Sequence, residues 1–283
     1  MAFKKNRISE IEREEMIMKM QEKITAPLQW SCSESCKIID LKEQHYQQVL
    51  HLIKHHFFSD DPMCLSAKLL DDPISTQEYL DEICSWMREN NSIVAISKKS
   101  DRVVGAAILK INSEEEKNHV FSRMRFQILQ GDVLAKLMNL KNALMKKSNV
   151  YQQLNVSKIL RLYIICVHPS YKLRDVYTDL LEACIEMAIV NDIPAVVGIF
   201  TSNDTQKLSQ TIGFNILSEI NYGHWKINHE IVFNNPGIGN YSVALMGMST
   251  PTTEYIDNMR KIKKLKIHEE NKKRQKYQRQ QDD

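Results

Sequence analysis

No apolar run in this 283-residue chain approaches the ~18–20 residues that a helix needs to cross a bilayer, which excludes a helical membrane span. The opening Lys4-Lys5-Asn6-Arg7 and the acidic, helix-forming stretch after it lack the apolar core of a signal peptide. An intracellular, cytoplasmic protein is therefore expected. Cysteine is sparse, with six in all. Cys32 and Cys36 form a C-x-x-x-C pair, but no second Cys/His pair at zinc-like spacing accompanies it. His55 and His56 are adjacent, so on a helix they point in different directions. No metal site is expected. Cys84, Cys166 and Cys184 lie in apolar periodic segments and read as reduced core residues. Nor is there an internal repeat.

What the chain does contain is enough apolar residue, 43%, to bury one substantial core. Its net charge of +3 is unevenly placed: Tyr255 to Asp283 carry ten Lys/Arg against five Asp/Glu, so that segment is +5 and the rest −2. The expected division is a charged helical extension over 1–34, one domain over 35–250 and a basic tail over 251–283. Within the domain, Lys37–Leu41 reads as a strand and Glu43–His55 as a helix with Val49, Leu50, Leu52 and Ile53 apolar. Ser92–Ser97 and Val103–Leu109 read as two strands joined through Lys99-Ser100-Asp101. A helical pattern spans Ser122–Lys147.

The densest information lies between Lys158 and Phe214. Ile159–Val167 is an apolar strand, broken by His168-Pro169-Ser170-Tyr171. A helix follows over Asp175–Val190, then the strand Ala195–Phe200 and a short helix stopped at Gly213-Phe214. Such an order implies two parallel neighbouring strands and a helix N-terminus opening at the sheet's C-terminal edge, where backbone N–H groups favour phosphate. The fold class expected is α+β: a mixed, mostly antiparallel sheet with a splayed parallel pair and helices on both faces.

This run resembles the acetyl-CoA-binding core of the GNAT acetyltransferase superfamily, and most of all the insect arylalkylamine (dopamine-type) N-acetyltransferases. Phe57-Phe58-Ser59-Asp60-Asp61-Pro62 looks like that group's F-F-x-D-E-P element. Thr201-Ser202-Asn203-Asp204-Thr205 with Ile212-Gly213-Phe214 looks like its S-S-x-x-S … L-G-F segment, and Val232-Phe233 through Tyr241–Met246 like its last hairpin. The resemblance runs from about Cys36 to Ser249 and implies transfer of acetyl from acetyl-CoA to a small primary amine; a monomer is expected.

It also implies site residues. Asp61 matches the family's glutamate base, one methylene shorter, so a bridging water must absorb the difference; the same Asp-Asp-Pro also suits a helix-ending turn. Thr201 and Thr205 match two serines, although capping of the following helix, by Asn203 above all, needs the same residue types. The main chain of Cys166, Val167 and His168 is expected along the pantetheine arm, bonding like an added strand. Phe57, Phe58 and Met63 are expected to line an apolar acceptor pocket, or else to be core. His168 and Tyr171 lie near enough in sequence to donate a proton to the leaving thiol, but neither matches a family residue.

At the phosphate turn the family's Arg/Gln-x-x-Gly-x-Gly/Ala reads Lys172-Leu173-Arg174-Asp175-Val176-Tyr177. Asp175 stands where glycine lets phosphate approach the backbone, and Tyr177 where a small residue belongs. A carboxylate there repels phosphate, and Arg174 partly offsets it. The alternatives are thus a GNAT-fold protein impaired in catalysis and acting by binding, or one working through its basic tail. Met259, Ile262, Leu265 and Ile267 make a sparse apolar stripe on that tail, compatible with weak polyanion or protein contact, or with a solvated helix.

Overall fold

The computed structural model describes residues 28–30, 35–115, 129–174, 176–252 and 254. The expected helix over 7–23, Cys32, Asp175 and the tail beyond 254 lie outside the described residues, as do the side chains of Lys172, Leu173 and Arg174.

The strands are β1 (Gln29–Trp30), β2 (Cys36–Asp40), β3 (Ile93–Ser97), β4 (Val103–Ser113), β5 (Lys158–Val167), β6 (Ala195–Phe200), β7 (Asn215–Asn221), β8 (Lys226–Ile227), β9 (Glu230–Ile231) and β10 (Ser242–Ser249). Among the described residues, eight form one sheet in the order β1-β2-β3-β4-β5-β6-β10-β7, while β8 and β9 pair apart. Every pairing among them is antiparallel except β5 with β6. The α+β reading and its parallel pair are therefore present. The β3–β4 turn closes at Asp101, whose φ of 52° is a left-handed position that Asp tolerates.

The helices are α1 (Tyr46–Leu52), α2 (Pro62–Ser66), α3 (Pro73–Met87), α4 (Asp132–Ser148), α5 (Val150–Leu154), α6 (Val176–Val190) and α7 (Asn203–Ile212). One face of the sheet packs with α1, α3 and α4 around Tyr79, Ile83, Leu137 and Ile164. The other packs with α6 around Leu160, Leu162, Leu180 and Cys184. Each fully buried large apolar side chain contributes roughly 1.5–3 kcal/mol, so the two layers hold the sheet from both sides.

Three elements differ from the expectation. Tyr241–Met246 falls largely in β10, which runs between β6 and β7 and does not pair with Val232-Phe233 as a hairpin. Phe233 is instead a buried core residue against Tyr222. The helix expected from Ser122 begins at Asp132: residues 122–128 are outside the described set, and Gly131 is the N-cap. Its end is capped from another helix, with the Glu78 carboxylate accepting from the N–H groups of Gln130 and Gly131 at 2.9 Å each. Finally, α3 carries no expectation, yet Asp72 caps it, accepting from the N–H groups of Ile74 and Ser75 at 3.1 Å, with Pro73 at the first helical position.

Candidate active site

The site originates in one irregularity of β5. Ile108 pairs with Ile164 and Leu109 with Leu162, so Tyr163 is an extra residue on β5. A bulge of this kind bends the strand and resets its alternation. Tyr163 and Ile164 consequently both serve the α1/α3/α4 face, while Leu162 and Ile165 serve the other. Pairing with β6 stops at the same point: Leu160, Arg161 and Leu162 match Val196, Val197 and Gly198, and nothing beyond. The two strands splay, and a cavity of about 1520 Å³ is lined from both faces of the sheet, by Tyr163 and Ile164 on one and Leu162 and Ile165 on the other.

The edge of β5 facing this gap follows from hydrogen-bond alternation. His168 donates its N–H to Val104 O at 2.8 Å, and Cys166 sits opposite Ala106. Residues two apart share a neighbour in an antiparallel ladder. The main chain of Val167 and Ile165 therefore turns toward the gap, and that of Cys166 and His168 toward β4. Of the three residues expected along an extended ligand, Val167 has the open edge.

At the rim, the Asp61 carboxylate is buried and accepts three hydrogen bonds: from the N–H of Met63 (3.1 Å) and Cys64 (3.0 Å) through one oxygen, and from Thr201 Oγ1 (2.5 Å) through the other. Asp61 thus ends the helical turn Phe58–Asp60 and caps α2, with Pro62 at the first helical position. The turn reading and the wall position coincide in one residue. Thr201 is fixed in turn: its carbonyl accepts the Tyr222 hydroxyl at 2.7 Å. Burial, then the neighbouring Asp61 carboxylate, pushes the Tyr222 pKa upward, so this hydroxyl remains a proton donor.

Thr205 lies on the cavity wall but is tied into the helix start. Its Oγ1 donates to Ser202 O at 2.9 Å and meets Ser202 Oγ at 2.8 Å. The N-cap of α7 is Ser202, not Asn203: its Oγ accepts from Thr205 N–H, while Asn203 is the first helical residue. Phe57 borders the cavity; Phe58 and Met63, 1% and 0% exposed, are core, with Phe58 stacked on Tyr79 at 5.1 Å. A π-helical turn at Ile53–Phe57 precedes them and brings His56 beside Phe57 on the wall. His56 meets His168 edge-on at 4.6 Å, and burial followed by the charge of His168 holds its pKa below the usual value. Tyr171 lies elsewhere, donating to Ser97 Oγ at 3.0 Å.

At the phosphate turn the backbone forms a 3-10 segment over Pro169–Arg174, and Val176, fully buried, begins α6. The Tyr177 side chain lines the cavity with Thr205 and Leu208. Its hydroxyl is enclosed near Ser209 and Thr205 without a well-aligned partner, and burial pushes its pKa up.

The far wall was not foreseen. Trp86 and Tyr163 lie tilted by 35° against each other at 4.2 Å, and the Arg161 guanidinium lies 4.5 Å over the Tyr163 ring. Lys141 donates to the hydroxyl of the buried Tyr79 at 2.6 Å. Burial opposes the Lys141 charge, but Tyr79, Cys64 and Asp61 outweigh it and raise its pKa. Among the described residues no cluster of metal-ligating side chains occurs, and no helix is long and apolar enough to cross a membrane.

No protein-family model matches the chain, and no curated protein matches it by sequence. Solved structures do match. A putative arylalkylamine N-acetyltransferase 7 of the yellow fever mosquito superposes with a TM-score of 0.70 at 20% identity, over 81% of this chain and 98% of that one. Arylalkylamine N-acetyltransferase 2 of Aedes aegypti gives 0.65 at 19%, over 76% and 99%. The polyamine N-acetyltransferase of Drosophila melanogaster gives 0.61 at 16%, over 75% and 98%. The chain has the GNAT fold.

Proposed function

We propose that this protein transfers acetyl from acetyl-CoA to a small primary amine of the arylalkylamine kind. The observation that carries the reading is the splay of β5 from β6 at the Tyr163 bulge, with the Asp61–Thr201 pair at its rim. An extended, peptide-like arm fits the open edge, because Val167 and Ile165 present main-chain groups there and no β6 residue competes. Bound in that gap, acetyl-CoA supplies an activated thioester carbonyl.

The chain's own residues do the rest. Asp61 faces the cavity with a carboxylate whose position is locked by three hydrogen bonds, and it takes the acceptor's proton through a water. Thr201 orients that carboxylate, and Tyr222 orients Thr201. His56, its protonation disfavoured, is a second proton acceptor on the same wall. Phe57, Trp86 and Tyr163 give an aromatic surface for the acceptor's side chain. Thr205 and Tyr177 flank the other side of the gap.

A non-catalytic binding protein is the competing reading, favoured by Asp175 and Tyr177 at the phosphate turn. Release of free thiol from acetyl-CoA across a panel of amines separates the two. Amine-dependent release that collapses in Asp61→Asn supports transfer; no release with any amine supports the binding protein.

A further inference from the structure

Two cations face each other across the sheet in the cavity wall. Lys110 of β4 is the direct cross-strand partner of Arg161 of β5, and both side chains line the cavity. Like charges placed opposite one another destabilise a sheet unless something of opposite sign joins them. Glu89 does so for Lys110, at 2.6 Å. For Arg161 there is no such partner: among the described residues no carboxylate lies within 4.0 Å of it or of Lys141. The Arg161 guanidinium rests on the Tyr163 ring, and the half-buried residue lines the cavity. Two residues along β4 from Lys110, the buried side-chain oxygen of Asn112 has no hydrogen-bond partner among the described residues.

The place of this cation fixes its role. Arg161 precedes the bulge, six residues from Val167, which is on the order of 20 Å of strand away from the end where the sheet opens toward α6. It stands on the aromatic wall of Tyr163 and Trp86. A group bound there belongs to the acceptor.

We infer that the acceptor is an amine that also carries a carboxylate, of the aromatic amino-acid class, with Arg161 as the seat of the carboxylate. The ring packs on the Phe57 and Trp86 side of the wall, because the Arg161 guanidinium already covers the Tyr163 ring. This rests on the acetyl-transfer reading for its name as acceptor, but the binding it describes does not need transfer.

The test is calorimetric titration of the full chain, without acetyl-CoA, with matched pairs: tyrosine and tyramine, tryptophan and tryptamine, histidine and histamine. In at least one pair the amino acid should bind about tenfold more tightly than the amine lacking the carboxylate. Arg161→Met should bring that ratio to about one, and Arg161→Lys should restore part of it. Equal or tighter binding of the decarboxylated amine in every pair, or no binding by any amino acid, would overturn the inference without recourse to a variant. A chain that binds tyrosine yet releases no thiol from acetyl-CoA loses the transfer reading and keeps this one. One that releases thiol with tyramine and not with tyrosine loses only this one.

Discussion

The two ends of the cavity are built in opposite ways. At the Asp61 end, the carboxylate oxygens, the Thr201 hydroxyl and carbonyl and the Tyr222 hydroxyl are joined in one chain of hydrogen bonds. At the Arg161 end, among the described residues, cations outnumber their carboxylates and one guanidinium has an aromatic ring beneath it and no carboxylate beside it. A fully bonded cluster is preorganised: it holds a reactive group in place before substrate arrives. An unsatisfied cation is recognition capacity, completed only by a ligand. Substitutions at the first end should therefore change rate, and at the second end should change selectivity.

The largest effect is expected at Asp61. Asp61→Asn keeps an oxygen for the N–H groups of Met63 and Cys64, and the Thr201 hydroxyl can rotate to accept from the new amide. Stability should change by less than about 1 kcal/mol, while turnover falls about 10²-fold or more. Steady-state kinetics beside a thermal melt checks both. If Arg161→Met lowers turnover as much, the contrast between the two ends is lost.

Next comes the scaffold that both ends share. A Cβ on Gly131 would lie 2.6 Å from Ser75 Cα and 2.8 Å from Ser75 N, backbone atoms that cannot step aside. Gly131 joins α4, which carries Lys141, to α3, which carries Trp86. Gly131→Ala should cost about 1–3 kcal/mol in denaturant unfolding. An unchanged midpoint would show that the α3–α4 contact is looser than described.

Thr201→Val sharpens the comparison further. It removes the hydroxyl from Asp61 and leaves the carbonyl that Tyr222 uses, so about 1 kcal/mol of stability and roughly tenfold in turnover should go. A stability loss without a kinetic one would reduce the pair to a structural tie.

The smallest effect concerns pH. His56 has its folded pKa held below the ordinary value of about 6.5, by burial and then by His168. Below that value the unfolded chain binds more protons at this site than the folded chain. Stability therefore rises with pH through the window under 6.5 and is lost as pH falls through it. His56→Gln should flatten the decline in melting temperature between pH 7 and 5.5. Part of the decline should persist, because burial lowers the His45 pKa as well. An identical slope in the variant would place the acid sensitivity elsewhere.

Legibility from sequence tracks how local each feature is. β5, α6, β6 and α7 announce themselves through apolar runs and the Gly213 stop, which has the expected left-handed φ of 115°. Asp61 and Thr201 were each singled out by a family resemblance, but their contact, 140 residues apart, was in no local pattern. The cap of α3 was available, since Asp72-Pro73 repeats the Asp61-Pro62 signature one helix later. Ser202 as N-cap was not separable from Asn203, because both are good caps and one residue of register decides. The Tyr163 bulge and the opposition of Lys110 to Arg161 depend on strand register, which alternation alone does not specify. Likewise, the pairing of β10 depends on a distant partner strand.

Acetyl transfer at this site requires the splayed strands to hold the acetyl donor. Calorimetric titration of the full chain with acetyl-CoA tests this most directly. One-to-one binding with a dissociation constant on the order of micromolar, about −8 kcal/mol, is the predicted result. No binding at millimolar acetyl-CoA would contradict it and leave the GNAT fold here without its donor.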